Sequence, residues 1–178
     1  PWCSSFLGYA AGIHAPGKTL GTEASHAVHH LLLGHGLATR AVRDVQPDAQ
    51  VGLTLNLYSV HAASDSAADT DAVRRIDGLQ NRLFLDPVLR GSYPADVLDD
   101  LGETEWFGAQ PISDGATIAV PIDFLGVNYY SRHTVASEPS ERHVPVASAN
   151  PGSESVRFVD VGEPTTQMGW PIVAEGLV

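Results

Sequence analysis

Nine residues, Ile122-Asp123-Phe124-Leu125-Gly126-Val127-Asn128-Tyr129-Tyr130, restrict the fold more than any other stretch. They follow the turn-former Pro121, and Phe124, Leu125 and Val127 make the run almost continuously apolar. A short apolar run bounded by a turn predicts a strand buried on both faces, as in a parallel sheet packed under helices. The chemistry changes at the carboxyl end, where Asn128 offers an amide and Tyr130 a phenol. In parallel α/β folds that end of the strand is where substrates bind. Alternation puts Asn128 and Tyr130 on one side of the strand. Taken alone, the stretch reads more readily as an ordinary strand with a tyrosine at its edge.

A second strand is predicted at Val51–Val60, where Val51, Leu53, Leu55 and Leu57 alternate with Gly52, Thr54, Asn56 and Tyr58. Asn56 and Tyr58 fall on its interior-or-site face, with interior-filling polar residues as the plainer reading. Thr22–Val45 predicts a helix capped by Thr22, with a stripe of Ala24, Val28, Leu31, Ala38 and Val42. Gly34 and Gly36 in it allow close packing. Ser64–Leu85 predicts another helix, with Asp65, Asp69 and Asp71 as a solvated acidic start and Ala72, Ile76, Leu79 and Leu83 as its apolar stripe. Asp86-Pro87 ends or kinks it. Ala95–Leu101 reads as a short helix, and 103–121 as irregular, held down by Trp106 and Phe107. Pro1–Gly21 reads as a long glycine-bearing loop with Trp2 near its start. Within a single partial domain, 136–155 reads as a loop insertion, 156–161 as a strand or hairpin, and 162–171 as a loop before a helix start near Ala174.

Several function classes are disfavoured. The net charge of -11 argues against a nucleic-acid surface, which needs clustered Lys and Arg. No apolar run approaches the roughly 20 residues of a membrane span. Cys3 is the only cysteine, which excludes an internal disulfide and favours a cytoplasmic setting. His26 and His30 are four apart, but no Glu stands as in H-E-x-x-H and no third ligand has a telling spacing, so no metal is expected. There is no G-x-S-x-G elbow, no G-x-G-x-x-G and no phosphate loop, and no cofactor is expected.

Six stretches, taken in order, are similar to glycoside hydrolase family 1, the β-glucosidase family. They are PWCS with GYAAGIHAPG, AVHHLLLGHGLA, VGLTLNLYSV, FLDP with GSYP, DFLGVNYY, and MGWP with EGL. The resemblance implies an α/β fold, specifically a partial (β/α)8 TIM barrel. It would run from the end of strand four through strand six to just before strand seven.

It implies a retaining β-glycosidase acting on terminal β-D-glucosyl residues of short β-glucosides or oligosaccharides. Retention needs two carboxyl groups roughly 5–5.5 Å apart, one protonating the leaving oxygen and one attacking the anomeric carbon. Pro1 matches the proline of the family's T-x-N-E-P motif, so the acid/base glutamate is expected just before this chain. The nucleophile's I-T-E-N-G motif is expected beyond Val178. By resemblance, Tyr130 supports catalysis by hydrogen-bonding the nucleophile, Asn56 and Asn128 shape the inner sugar site, and Trp2, Tyr58 and His133 border the leaving-group site. The segment alone is expected to be inactive and to pair with the remainder of the barrel or with itself. A β-galactosidase, a 6-phospho-β-glucosidase, or an inactive fragment working only within an assembly are the alternatives.

Overall fold

The computed structural model describes residues 1–138 and 147–177; residues 139–146 of the expected loop insertion lie outside the described part. Among the described residues five strands are arranged in two small sheets. In the first, β1 (Gly52–Asn56) runs parallel to β3 (Phe124–Asn128), from Gly52 opposite Phe124 to Asn56 opposite Asn128. In the second, β2 (Ser59–Ala62) runs parallel to β4 (Arg132–Ser137), and β5 (Val156–Phe158) pairs antiparallel with β4. The two sheets continue one another. Leu57 and Tyr58 separate β1 from β2, whereas Tyr129, Tyr130 and Ser131 separate β3 from β4. Two residues thus face three, so the ladder carries a bulge at that level.

The alternation read in Val51–Val60 places Leu53, Leu55 and Leu57 against the main core, with Leu55 fully buried. The other face of the β1–β3 pair is built from complementary sizes. A Cβ on Gly52 would run into the Phe124 ring, and one on Gly126 into the Thr54 hydroxyl. The next rung is Asn56 beside Asn128. The expectation of a strand buried on both faces does not hold for β3: Phe124 is 56% and Val127 51% exposed. Among the described residues β3 has a partner on one edge only.

The helices around this frame are α1 (Ser25–Val45), α2 (Ala67–Asp77), α3 (Leu83–Arg90), α4 (Ala95–Leu101), α5 (Thr104–Gly108) and α6 (Ile112–Ile118). Several expectations need correction. Cys3–Ala10 is a π-helical segment rather than loop, and Phe6 is fully buried in it. Thr22 does not cap α1. It lies in a 3-10 turn, Gly21–Ala24, and donates to Glu103 Oε1 at 3.1 Å.

The buried face of α1 also differs from the stripe read from its aliphatic residues. Leu31, Ala38 and Val42 are exposed, while Val28, His29, Leu32, Gly36 and Thr39 are buried. Two polar members of that face, His29 and Thr39, find partners, whereas the buried Ser25 hydroxyl has none among the described residues. His29 lies 3.1 Å from the Tyr93 hydroxyl and 3.3 Å from Asp114, and Thr39 donates to His35 O. Gly36 admits the α6 backbone, where a side chain would strike the Thr117 carbonyl. Region 103–121 is thus helical, not irregular.

Helix α2 begins at Ser66, whose hydroxyl accepts from Asp69 N at 3.0 Å. Asp69 is no solvated charge. It is buried, accepts from the Ser64 hydroxyl, and accepts from Ser137 N at the end of β4. Between α2 and α3 the chain widens into a π-helical segment, Gly78–Arg82. Pro87 does not end the helix. It sits within α3, which runs on to Arg90 and stops at Gly91 in the left-handed conformation. The predicted stripe of Ala72, Ile76, Leu79 and Leu83 is buried throughout.

Arg74 and Arg82 join this helical arm to α4 through Asp96, with contacts of 2.7–2.9 Å. The Arg82 guanidinium, helped by Arg74, holds the Asp96 carboxyl well below the usual carboxylate range. A depressed carboxyl contributes stability above its unfolded value of about 4 and loses it as pH falls toward the folded value. These side chains are partly exposed, so screening limits the contribution. Asp96→Asn is expected to destabilise the folded protein by about 1 kcal/mol at pH 7. The deficit narrows below about pH 4, which urea unfolding at the two pH values checks.

Candidate active site

The site stands at the carboxyl ends of β1 and β3, at the bulge. There Asn128 Nδ2 donates to Asn56 Oδ1 at 2.9 Å, locking the last rung of the ladder with both side chains on one face. Beyond that rung the three-residue side of the bulge splits its two tyrosines. Tyr129 turns back and donates to Val173 O at 2.8 Å, tying the C-terminal segment to the strand ends. Tyr130 opens into a cavity of about 880 Å³, with its ring edge-on to Trp170 at 5.5 Å.

The two-residue side positions Tyr58. With the ladder interrupted, its backbone takes a substitute partner: Tyr58 N donates to Asn81 Oδ1 at 3.0 Å, and Asn81 Nδ2 donates back to Tyr58 O at 2.8 Å. Asn81 lies in the π-helical segment, where the widened turn delivers a buried amide to the strand break.

The Tyr58 ring carries the outer wall. Trp2 meets it at 6.5 Å, and His133 stacks on it at 4.5 Å with 19° between the planes. Burial lowers the His133 pKa to about 4, so the ring is neutral at pH 7. Burial also raises the Tyr58 phenol above its ordinary value, keeping it protonated.

Of the residues singled out by sequence, Trp2, Asn56, Tyr58, Tyr130 and His133 all line this one cavity. Asn128 does not line it and acts on Asn56 instead. Sequence reasoning passed over four contributors, Phe158, Asp160, Trp170 and Asn81. The first three come from the segment after residue 155, whose approach to the strand ends no local pattern announces. Trp170 did stand within a matched family stretch, MGWP, which was the available signal. Among the described residues that line it, Asp160 is the one carboxylate and Arg132 the one Lys or Arg. Arg132 is ion-paired with Glu163. A second depression, of about 670 Å³, lies between α1 and the chain before it; no strand residue lines it. Among the described residues no helix is long and apolar enough to cross a membrane.

Fold and cavity together define a class: parallel α/β proteins that gather polar and aromatic side chains at their strand ends. The profile of glycosyl hydrolase family 1 matches residues 1–178. A bifunctional β-D-glucosidase/β-D-fucosidase of Bifidobacterium breve is 41% identical over 99% of this chain, and the chain spans 38% of that relative. The crystal structure of a psychrophilic β-glucosidase from Micrococcus antarcticus superimposes with a TM-score of 0.87 at 43% identity, over 99% of this chain and 40% of that one. A β-glucosidase from Thermotoga maritima in complex with deoxynojirimycin gives 0.83 at 36% identity, over 99% and 37%. The chain belongs to glycosyl hydrolase family 1, and its fold is part of the TIM barrel of these β-glucosidases.

Proposed function

We propose that these residues form the middle of a retaining β-glucosidase, from the end of barrel strand four to just before strand seven. In this reading β1 and β3 are strands five and six. The observation that carries it is the Asn56–Asn128 rung beside Tyr130 at the carboxyl ends of two parallel strands. A neutral amide such as Asn56, held in place by Asn128, suits sugar hydroxyls, which both donate and accept hydrogen bonds. Deoxynojirimycin, the ligand of the Thermotoga relative, supports a sugar-sized occupant.

The reaction needs a carboxyl pair roughly 5–5.5 Å apart, whereas the described lining residues include one carboxylate, Asp160. In this reading both catalytic glutamates are contributed from outside residues 1–178. Within these residues, Asn56 shapes the inner sugar site with Asn128 behind it, Tyr130 donates to the nucleophile, and Trp2, Tyr58 and His133 border the leaving group. The open edge of β3, with Phe124 and Val127 uncovered, supports docking against the remainder of the barrel. The free thiol of Cys3 is in keeping with a reducing, cytoplasmic setting. A 6-phospho-sugar would call for a cation, and Arg132, the one Lys or Arg among the described lining residues, pairs with Glu163 while its Nε has no partner.

The test is hydrolysis of an aryl β-glucoside by the full-length protein, followed by proton NMR. Initial release of the β-anomer of glucose is expected. Initial release of the α-anomer would sink the retaining mechanism, and no hydrolysis would sink the glycosidase reading.

A further inference from the structure

Asn81 does for Tyr58 what a neighbouring strand would do, although it belongs to a helix. Leu57 N still donates to Asn128 O at 3.0 Å, and Ser59 resumes the pairing opposite Arg132. Between them both backbone bonds of Tyr58 go to the Asn81 side chain. A primary amide carries the same donor and acceptor as a peptide group. The side chain therefore stands in for one residue of a strand and fixes the direction in which the Tyr58 ring leaves the backbone.

The amide has one workable orientation. Asn81 Nδ2 also donates to Asp77 Oδ1 at 2.8 Å, and Asp77 Oδ2 accepts from Arg82 Nε at 3.1 Å. An ionised carboxylate only accepts, so turning the amide over would set its oxygen against Asp77 and Tyr58 O together. Asn81 is 8% exposed, and burial makes a broken bond costly. Gln80, the residue before it, is buried too but reaches elsewhere, to Asn150 Oδ1 at 3.2 Å. One π-helical turn thus sends two successive amides to two separate segments, and such turns are frequent at functional positions. Asn81 is not among the described residues lining the cavity, so its route to the substrate runs through Tyr58.

We infer that Asn81 is a positioning residue of the enzyme: it sets the place of the Tyr58 ring, and through that ring the affinity for substrate, without touching substrate itself. This rests on the β-glucosidase reading and adds to it a residue outside the cavity.

The experiment is a double-mutant cycle in the full-length protein, read as kcat and KM for p-nitrophenyl β-glucoside. Asn81→Ala should lower kcat/KM about tenfold, the upper end of what one lost hydrogen bond costs. The loss should lie in KM, with kcat within about twofold. Tyr58→Ala should lower kcat/KM at least as much. Adding Asn81→Ala to Tyr58→Ala should then change kcat/KM by less than about twofold, because no ring is left to misplace. Asn81→Asp keeps the acceptor for Tyr58 N and the size of the side chain, and takes the place of the alanine variant in the cycle if that variant does not fold. The same fold-loss from the Asn81 substitution with and without the Tyr58 ring would overturn the inference and make Asn81 merely structural. So would an unchanged KM in a folded Asn81→Ala protein. Absence of turnover by the wild-type protein is a separate result, which would overturn the β-glucosidase reading and the inference with it.

Discussion

Produced by themselves, residues 1–178 should release no nitrophenol from an aryl β-glucoside above background, while the full-length protein turns the same substrate over. The expected loss is at least about 10⁴-fold. The leaving oxygen would lack its proton donor, a contribution of about 10²–10⁴, and no nucleophile would form the covalent intermediate. The cavity explains why binding groups do not rescue the reaction. In the proposed reading its amides, phenols and rings position a sugar, but Asp160, the one carboxylate among the described lining residues, cannot act on both faces of the anomeric carbon. The protein for this assay should come from a host without β-glucosidase of its own. Turnover that co-purifies with the chain would mean that a second carboxyl group among these residues reaches Asp160, and would end the two-glutamate assignment.

Tyr130→Phe in the full-length protein should lower kcat about 10²-fold, the scale of one lost preorganised donor, and leave KM within about threefold. The substitution keeps the ring and its edge contact with Trp170, so the local packing survives. Only the phenolic donor is lost. A donor to the charged form of a carboxylate lowers its pKa, so its removal raises the pKa of the nucleophile. The acid limb of the pH–rate profile should then move to higher pH. A purely structural role for Tyr130 would not move that limb. Unchanged kcat would remove Tyr130 from the catalytic machinery.

Much of the architecture was legible in the sequence because the signals were periodic. Leu53, Leu55 and Leu57 mark a strand with one face on the helices, and Ala72, Ile76, Leu79 and Leu83 mark a helical face that is buried as read. Periodicity failed where polar residues supply the buried face. In α1, His29 and Thr39 point inward because Tyr93, Asp114 and His35 O satisfy them, while aliphatic Leu31 and Val42 point out. Short helices failed for a related reason: α5 and α6 are too brief to establish a period. The π-helical segments were invisible, since no residue pattern distinguishes them from an α-helix.

The site was partly legible. Trp2, Asn56, Tyr58, Tyr130 and His133 carry chemistry at strand ends or in matched family stretches, and they converge on one cavity. Phe158 and Trp170 come from more than twenty residues further along, and only the tertiary fold brings them there. Asn81 was hidden because its role depends on a gap in the ladder, which is a property of two strands and not of either one.

That gap has a consequence for how such a protein can change over generations. A ladder that runs unbroken transmits every inserted or deleted residue along its whole length, flipping side chains from one face to the other. Here the pairing of β2 with β4 starts afresh after the two-against-three mismatch. The rim can therefore gain or lose a residue without turning the strands beneath it. The lower pair holds the Asn56–Asn128 rung in place, while the upper pair, with β5 added at its side, is free to be rebuilt. The mismatch works as an expansion joint, dividing a fixed floor from a mouth open to variation.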